Sequence, residues 1–228
     1  MMNLQMKMEQ LLRNDFMTFN RLSPSLTHGL DLVFETEVPS FAVEDVSGEV
    51  ILKVSVSRPN SGEAHFENPQ KLAIVFFRYE KFLNSLPADF QEGKGRCELL
   101  VNDKSTKYFL LGELKNRKRK QRAAAMRKAK TQMLSVIEQL IRVPSIKAHI
   151  STFPRKRCCV FNSWMTKTPV QGHETQRKIN VPDTVRRSQN PTPNPKQLSV
   201  PEMEKFGFSF WEYSGTRPLK FTEKHWSL

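Results

Sequence analysis

The sequence predicts an α/β domain on two observations. Segments with the apolar period of a helix alternate along the chain with shorter runs rich in β-branched and aromatic residues. The 228 residues are 38% hydrophobic and 10% aromatic, enough to fill one sizeable core.

Each element follows from its local pattern. The first thirty residues read as an amphipathic helix to about Phe19, then a polar turn at "RLSPSLTHG". "LDLVFETEVPSF" and "GEVILKVSVSR" are partly alternating, which predicts an antiparallel strand pair with "AVEDVSGE" as its turn. In "NPQKLAIVFFRYEKFLNSLP", Leu72, Val75, Phe76, Tyr79, Leu83 and Leu86 recur at spacings of three and four, so a buried helix is expected over 70–86, closed by Pro87. After the flexible "EGKG", two strands, about Arg96–Asn102 and Lys107–Lys115, surround the turn "DKST". Met126, Ala129, Met133, Val136, Ile137, Leu140 and Ile141 mark a long helix over 121–143 that stops before Pro144 and carries a basic outer face. "KRCCVFNSW" is a further strand, over 156–162.

These elements place a domain at 1–165. The range 166–201 is proline-rich, with few apolar residues and no period, and reads as a linker or exposed loop. Residues 202–228 recover hydrophobic character. There Phe206, Phe208 and Phe210 alternate as in a half-buried strand packing back on the core; an aromatic platform for bases is the other reading.

Composition excludes several classes. The Met-rich start carries Lys7, Glu9, Arg13 and Asp15 where a signal peptide would be apolar, and no apolar run is long enough for a membrane span. Three cysteines form neither a disulfide framework nor a C-x-x-C metal pattern, which points to a reducing, cytoplasmic setting. Glycine-rich nucleotide-binding motifs and the G-x-S-x-G hydrolase motif are missing, and the five histidines are scattered.

Charge is distributed unevenly. Before position 115 there are 12 basic and 16 acidic residues; from 115 to 187 there are 19 and 3; after 187 there are 5 and 4. A basic middle segment suits a polyanion, because each Lys or Arg that neutralises a phosphate releases a counterion. The run "KNRKRKQRAAAMRKAK" holds nine Lys and Arg and no acid, so Arg117, Lys118, Arg119, Lys120, Arg122, Arg127, Lys128 and Lys130 are candidate nucleic-acid contacts. Nothing in it resembles a base-reading code, and a solvated helix face is the plainer alternative.

The hairpin carries the chemistry. With its turn near Lys104–Thr106, cross-strand partners sum to about 210, which puts Glu113 opposite residues 96–98 and leaves Asp103 at the turn. Glu98 is therefore Glu113's partner, and strand alternation puts Glu113 and Lys115 on one side with Leu114 opposite. Two facing carboxylates on an apolar hairpin need a proton or a cation between them, and magnesium fits their hard oxygens better than zinc.

A carboxylate on one strand, E-x-K on the next and then a basic amphipathic helix resemble the PD-(D/E)XK nuclease superfamily, "ELK" at 113–115 being the E-x-K. The resemblance implies a restriction-endonuclease-like α-β-β-β-α-β core, a mixed sheet flanked by helices, and Mg-dependent hydrolysis of phosphodiester bonds, in DNA before RNA. It makes Glu98 the first metal ligand, Glu113 the second acid and the Leu114 carbonyl a third ligand. Lys115 would activate water as a base of depressed pKa, or stabilise the phosphorane when charged. Glu80 would be a further metal ligand and Gln132 a helix residue touching phosphate or Lys115. The sequence departs from the family in having Glu at 98, usually Asp, and in showing no separate strand before the hairpin. Read without the family, Glu80 is a solvated helix charge, Gln132 a polar border residue and Lys115 the start of the basic run. An inactive fold relative that binds nucleic acid or regulates a partner, and a scaffold for an acidic protein, are the competing functions. A homodimer or larger complex stays open.

Overall fold

In the computed structural model, which describes residues 8–46, 49–54, 64–115, 121–162, 194–214 and 217–226, mixed sheets are flanked by helices. The chain begins with α1 (Met8–Gln10), a π-helical stretch (Leu11–Phe16) and α2 (Met17–Phe19), which follow one another without a break and bury Leu11, Leu12, Phe16 and Met17. Strands β1 (Val33–Thr36), β2 (Ser40–Val46), β3 (Glu49–Val54), β4 (Ala64–Glu67) and β5 (Ile74–Arg78) come next. They lead to the short helices α3 (Tyr79–Asn84) and α4 (Ala88–Gln91) and to the hairpin β6 (Leu99–Asp103) and β7 (Tyr108–Lys115). Helices α5 (Arg122–Ile141) and α6 (Pro144–Ser151) precede β8 (Arg155–Asn162). The C-terminal part comprises β9 (Lys196–Leu198), α7 (Pro201–Glu204), β10 (Phe208–Ser214), β11 (Leu219–Lys220) and α8 (Glu223–Trp226).

Seven strands form the large sheet in the order β1-β5-β6-β7-β8-β10-β9, and four form the small one in the order β11-β4-β2-β3. Neighbours from β1 through β7 are antiparallel, whereas β7, β8 and β10 run parallel. That change of sense follows from connectivity, since α5 and α6 carry the chain back before β8 begins. One face of the large sheet buries Leu100, Phe109, Leu111, Cys158, Val160 and Phe210 against α5 residues Met133, Val136, Ile137 and Leu140. The opposite face packs on the small sheet through an aromatic cluster in which Phe66 meets Phe41, Phe76, Phe161 and Phe221.

Two sequence expectations are corrected. The helix expected over 70–86 is a strand, β5, followed by the six residues of α3. The misreading has a physical cause: Ile74 and Phe76 enter the inter-sheet core while Phe77 enters the helix-side core, and an apolar run buried on both faces shows no strand alternation. Likewise "AVEDV" is not a turn but the body of β2, and residues 31–57 supply three strands where two were expected. The proline-rich range falls mostly outside the described residues, and its end contributes the edge strand β9. Phe208 and Phe210 are buried, so they serve as core and not as a platform. No helix among the described residues is long and apolar enough to cross a membrane.

The C-terminal segment closes over the small-sheet face. The Tyr213 hydroxyl lies 2.9 Å from Nε2 of His225, and burial, with help from Arg157 and Lys220, pulls the His225 pKa down to about 4. A histidine depressed from about 6.5 binds its proton in the unfolded chain first, so folding stability is fully present above that pH and declines between pH 6.5 and 4. Thermal melts across this range should show a falling midpoint, and His225→Gln should flatten the decline.

Candidate active site

The site is built on the hairpin, whose turn is fixed by Asp103. This buried carboxylate accepts backbone N–H bonds from Lys107 and Tyr108 at 2.9 and 2.7 Å and from Ser105 at 3.1 Å. Its role is therefore structural, as its position at the turn implied. The register Leu99↔Gly112 and Leu100↔Leu111 then extends to Glu98 opposite Glu113.

Glu98, Glu113 and Lys115 converge at the open end of the hairpin on the face toward α5. The Leu114 N–H donates to Glu98 Oε2 at 2.9 Å, Lys115 Nζ lies 3.5 Å from Glu98 Oε1, and the same ammonium is ion-paired with Glu113. Glu98 is 8% and Glu113 1% exposed, so these charges are not solvated decoration. Burial, followed by a hydrogen bond and charge from Glu113, pushes the Glu98 carboxyl well above the usual range; Lys115 and the Leu114 N–H offset only part of this.

Of the two roles open to Lys115, its surroundings favour the charged one. Burial acts to lower its pKa, but the charges of Glu98 and Glu113 and hydrogen bonds to both outweigh it, and the value is raised. A lysine held charged by two carboxylates is not the depressed-pKa base that burial alone would make. What it offers in this state is a fixed positive charge.

Around this group lie further residues. The Cys97 thiol is pushed up by burial and then by Glu113, Glu98, Cys158 and Glu80, so all three carboxylates act on one buried sulfur. Glu80 sits in the first turn of α3, directly after β5, and neighbouring Tyr79 donates its backbone N–H to the Glu98 carbonyl at 3.0 Å. Gln132 lies on α5, where its Oε1 is buried without a hydrogen-bond partner among the described residues. Among the described residues, no cluster of three or more His, Cys, Asp or Glu is spaced to hold a metal ion.

The loop before Glu98 is held against α5 at Gly95. Its N–H bonds Ser135 Oγ at 3.0 Å and its carbonyl accepts from Gln139, so closely that an added Cβ would overlap the Gln132 carbonyl oxygen and the Ser135 side chain. Gly95→Ala should cost about 1–3 kcal/mol by overpacking and displace Glu98 three residues on. Urea unfolding of the variant checks the first effect.

The basic residues divide. Arg127 and Lys128 are exposed on α5. Arg122 instead makes a two-pronged ion pair with buried Glu212 of β10, its Nε 2.8 Å from Glu212 Oε1, and Lys130 lies 3.4 Å from Glu202. Arg117, Lys118, Arg119 and Lys120 lie outside the described residues.

Three neighbours escaped the sequence reading. Parallel register aligns Lys115 with Asn162 of β8 and Asn162 with Ser214 of β10, and it aligns Glu113 with Val160 and Val160 with Glu212. Glu98, Glu113, Asn162, Glu212 and Ser214 are all buried, so one polar strip crosses four strands on the α5 face. The available signal was a polar residue at the alternate position of an apolar strand, in "CVFN" and "FWEYS". No family model matches the chain, and no curated protein or solved structure matches it either.

Proposed function

We propose that the chain is a metal-dependent nuclease of the PD-(D/E)XK type, acting on DNA in restriction, repair or defence inside the cell. One observation carries the proposal: two buried carboxyl groups and a charged lysine converge on adjacent strands. The element order supports it, because a helical run at 8–19, then β5, β6, β7, α5 and β8 occur in the α-β-β-β-α-β sequence, with β1–β4 inserted after the first helix, α3 and α4 between β5 and β6, and α6 before β8. In this reading β5 would take the place of the separate strand before the hairpin.

The donor set fits magnesium. Two carboxyl groups forced to share a hydrogen bond in a buried site favour any added positive charge, and hard oxygen ligands suit Mg. Glu98, Glu113 and the Leu114 carbonyl would hold the ion, with Glu80 as an outer carboxylate, and a bound ion would supply an activated water and charge stabilisation. Lys115 would then stand beside the scissile phosphate, where its ammonium offsets the charge that builds on the phosphoryl oxygens. Exposed Arg127 and Lys128 would hold the nucleic-acid backbone without reading sequence.

The inactive fold relative remains the second reading because Lys115 neutralises the carboxylates without any metal. Digestion of supercoiled plasmid, single-stranded DNA and RNA in Mg or Mn separates the two. Binding without cleavage of any of them supports the second.

A further inference from the structure

The proposed chemistry leaves Asn162, Glu212 and Ser214 of the polar strip unused; Glu212 is paired with Arg122, and of the other two Asn162 is the one with buried, unpartnered polar atoms among the described residues. Asn162 is 0% exposed, and neither its Nδ2 nor its Oδ1 has a hydrogen-bond partner among the described residues. Leaving such an amide unmade costs about 1–3 kcal/mol for each polar group, so its presence in an otherwise apolar strand end requires a reason. Packing does not supply one, because a leucine of nearly the same volume would fill the space without the desolvation cost.

Position suggests the reason. Asn162 is the parallel-register partner of Lys115, and both side chains lie on the face where Leu111, Cys158 and Val160 meet α5. Paired strands run about 5 Å apart, which brings the carboxamide alongside the lysine stem. The Lys115 ammonium has three N–H donors, and its recorded partners are the two carboxylates that would turn to a bound cation. Once they do, the ammonium needs another acceptor, or it leaves for solvent and takes the fixed positive charge with it.

We propose that Asn162 is a positioning residue, whose carboxamide oxygen takes the Lys115 ammonium when Glu98 and Glu113 engage a divalent cation and holds it against the substrate phosphate. This rests on the nuclease reading. Asn162 holds Lys115 and does not itself touch the reacting atoms. In this reading the unpartnered amide marks a site completed only when the metal is bound.

The test is Asn162→Leu in the full-length chain, with Asn162→Ala covering the case where leucine fits poorly, measured by thermal melting, calorimetric Mg titration and Mg-dependent cleavage of plasmid. A positioning role predicts a melting temperature equal to or above wild type, Mg affinity and KM within about twofold, and kcat lower by about 10–100-fold, the usual cost of losing a group that orients a metal-site residue. An unchanged kcat in both variants overturns the inference alone and leaves the nuclease reading standing. A loss of kcat matched by a fall in melting temperature also overturns it, since that is the mark of a packing residue. Wild-type protein that neither binds Mg nor cleaves removes the nuclease reading and this inference together.

Discussion

Glu113→Ala should abolish Mg-dependent cleavage, with a loss of about 10³-fold or more, while DNA affinity stays within about twofold. The two effects separate because Glu113 is 1% exposed and faces Glu98 and Lys115, whereas the proposed backbone contacts would come from Arg127 and Lys128, exposed on α5. The substitution also removes one member of a buried acid pair that pushes the Glu98 carboxyl upward. Glu98 in the variant keeps Lys115 as its partner and stays buried, so its pKa should fall while burial still holds it above the ordinary carboxylate range. Thermal stability should hold or rise, and a stable, inactive, DNA-binding variant is the expected combination. Cleavage measured beside fluorescence anisotropy with a short labelled duplex checks all three parts.

The largest stability effect is expected far from this centre, at Arg157. Its guanidinium is 1% exposed and lies between two indoles, 4.1 Å from the Trp211 ring centre and 4.6 Å from that of Trp226. Its N–H groups reach the Tyr213 hydroxyl at 3.1 Å and the His225 carbonyl at 2.7 Å, and no carboxylate pairs with it among the described residues. A buried cation without a counter-charge is stable here because aromatic faces and oxygen acceptors surround it. The same contacts tie β8 and β10 to α8, adding to the pairing of β11 with β4 and the packing of Phe221 and Trp226. Arg157→Ala should cost about 3–5 kcal/mol, as emptying a large buried site does, with loss of protection in residues 217–226. Arg157→Met keeps much of the packing and should cost about 1–2 kcal/mol. Urea unfolding ranks the two variants, and hydrogen exchange locates the loosened segment.

Legibility in the sequence followed how much each segment's burial depends on distant partners. The hairpin was readable because its turn chemistry is local: Asp103 caps its own turn, and the partner sum expected near 210 is 211 in the structure. Helix α5 was readable because it buries a single stripe and Pro144 ends it. β5 was not, since a strand buried on both faces loses its alternation, and Val75, Phe76 and Tyr79 fall by chance at helical spacing. In the site, Glu98, Glu113 and Lys115 are brought together by one turn and so could be placed from the chain alone. Asn162 and Glu212 arrive through parallel pairing of β7 with β8 and β8 with β10, across separations that no local pattern encodes. The choice between the charged and neutral forms of Lys115 was also beyond reach, because it depends on two carboxylates outweighing burial.

The central claim, that the hairpin is a phosphodiesterase centre, is tested most directly by incubating supercoiled plasmid with the purified wild-type chain and the Glu113→Ala and Lys115→Ala variants in Mg or Mn. Nicking or linearisation by wild type alone, with all three proteins binding the plasmid, is the expected result. Equal cleavage by the variants, or binding without cleavage by any of the three, contradicts it.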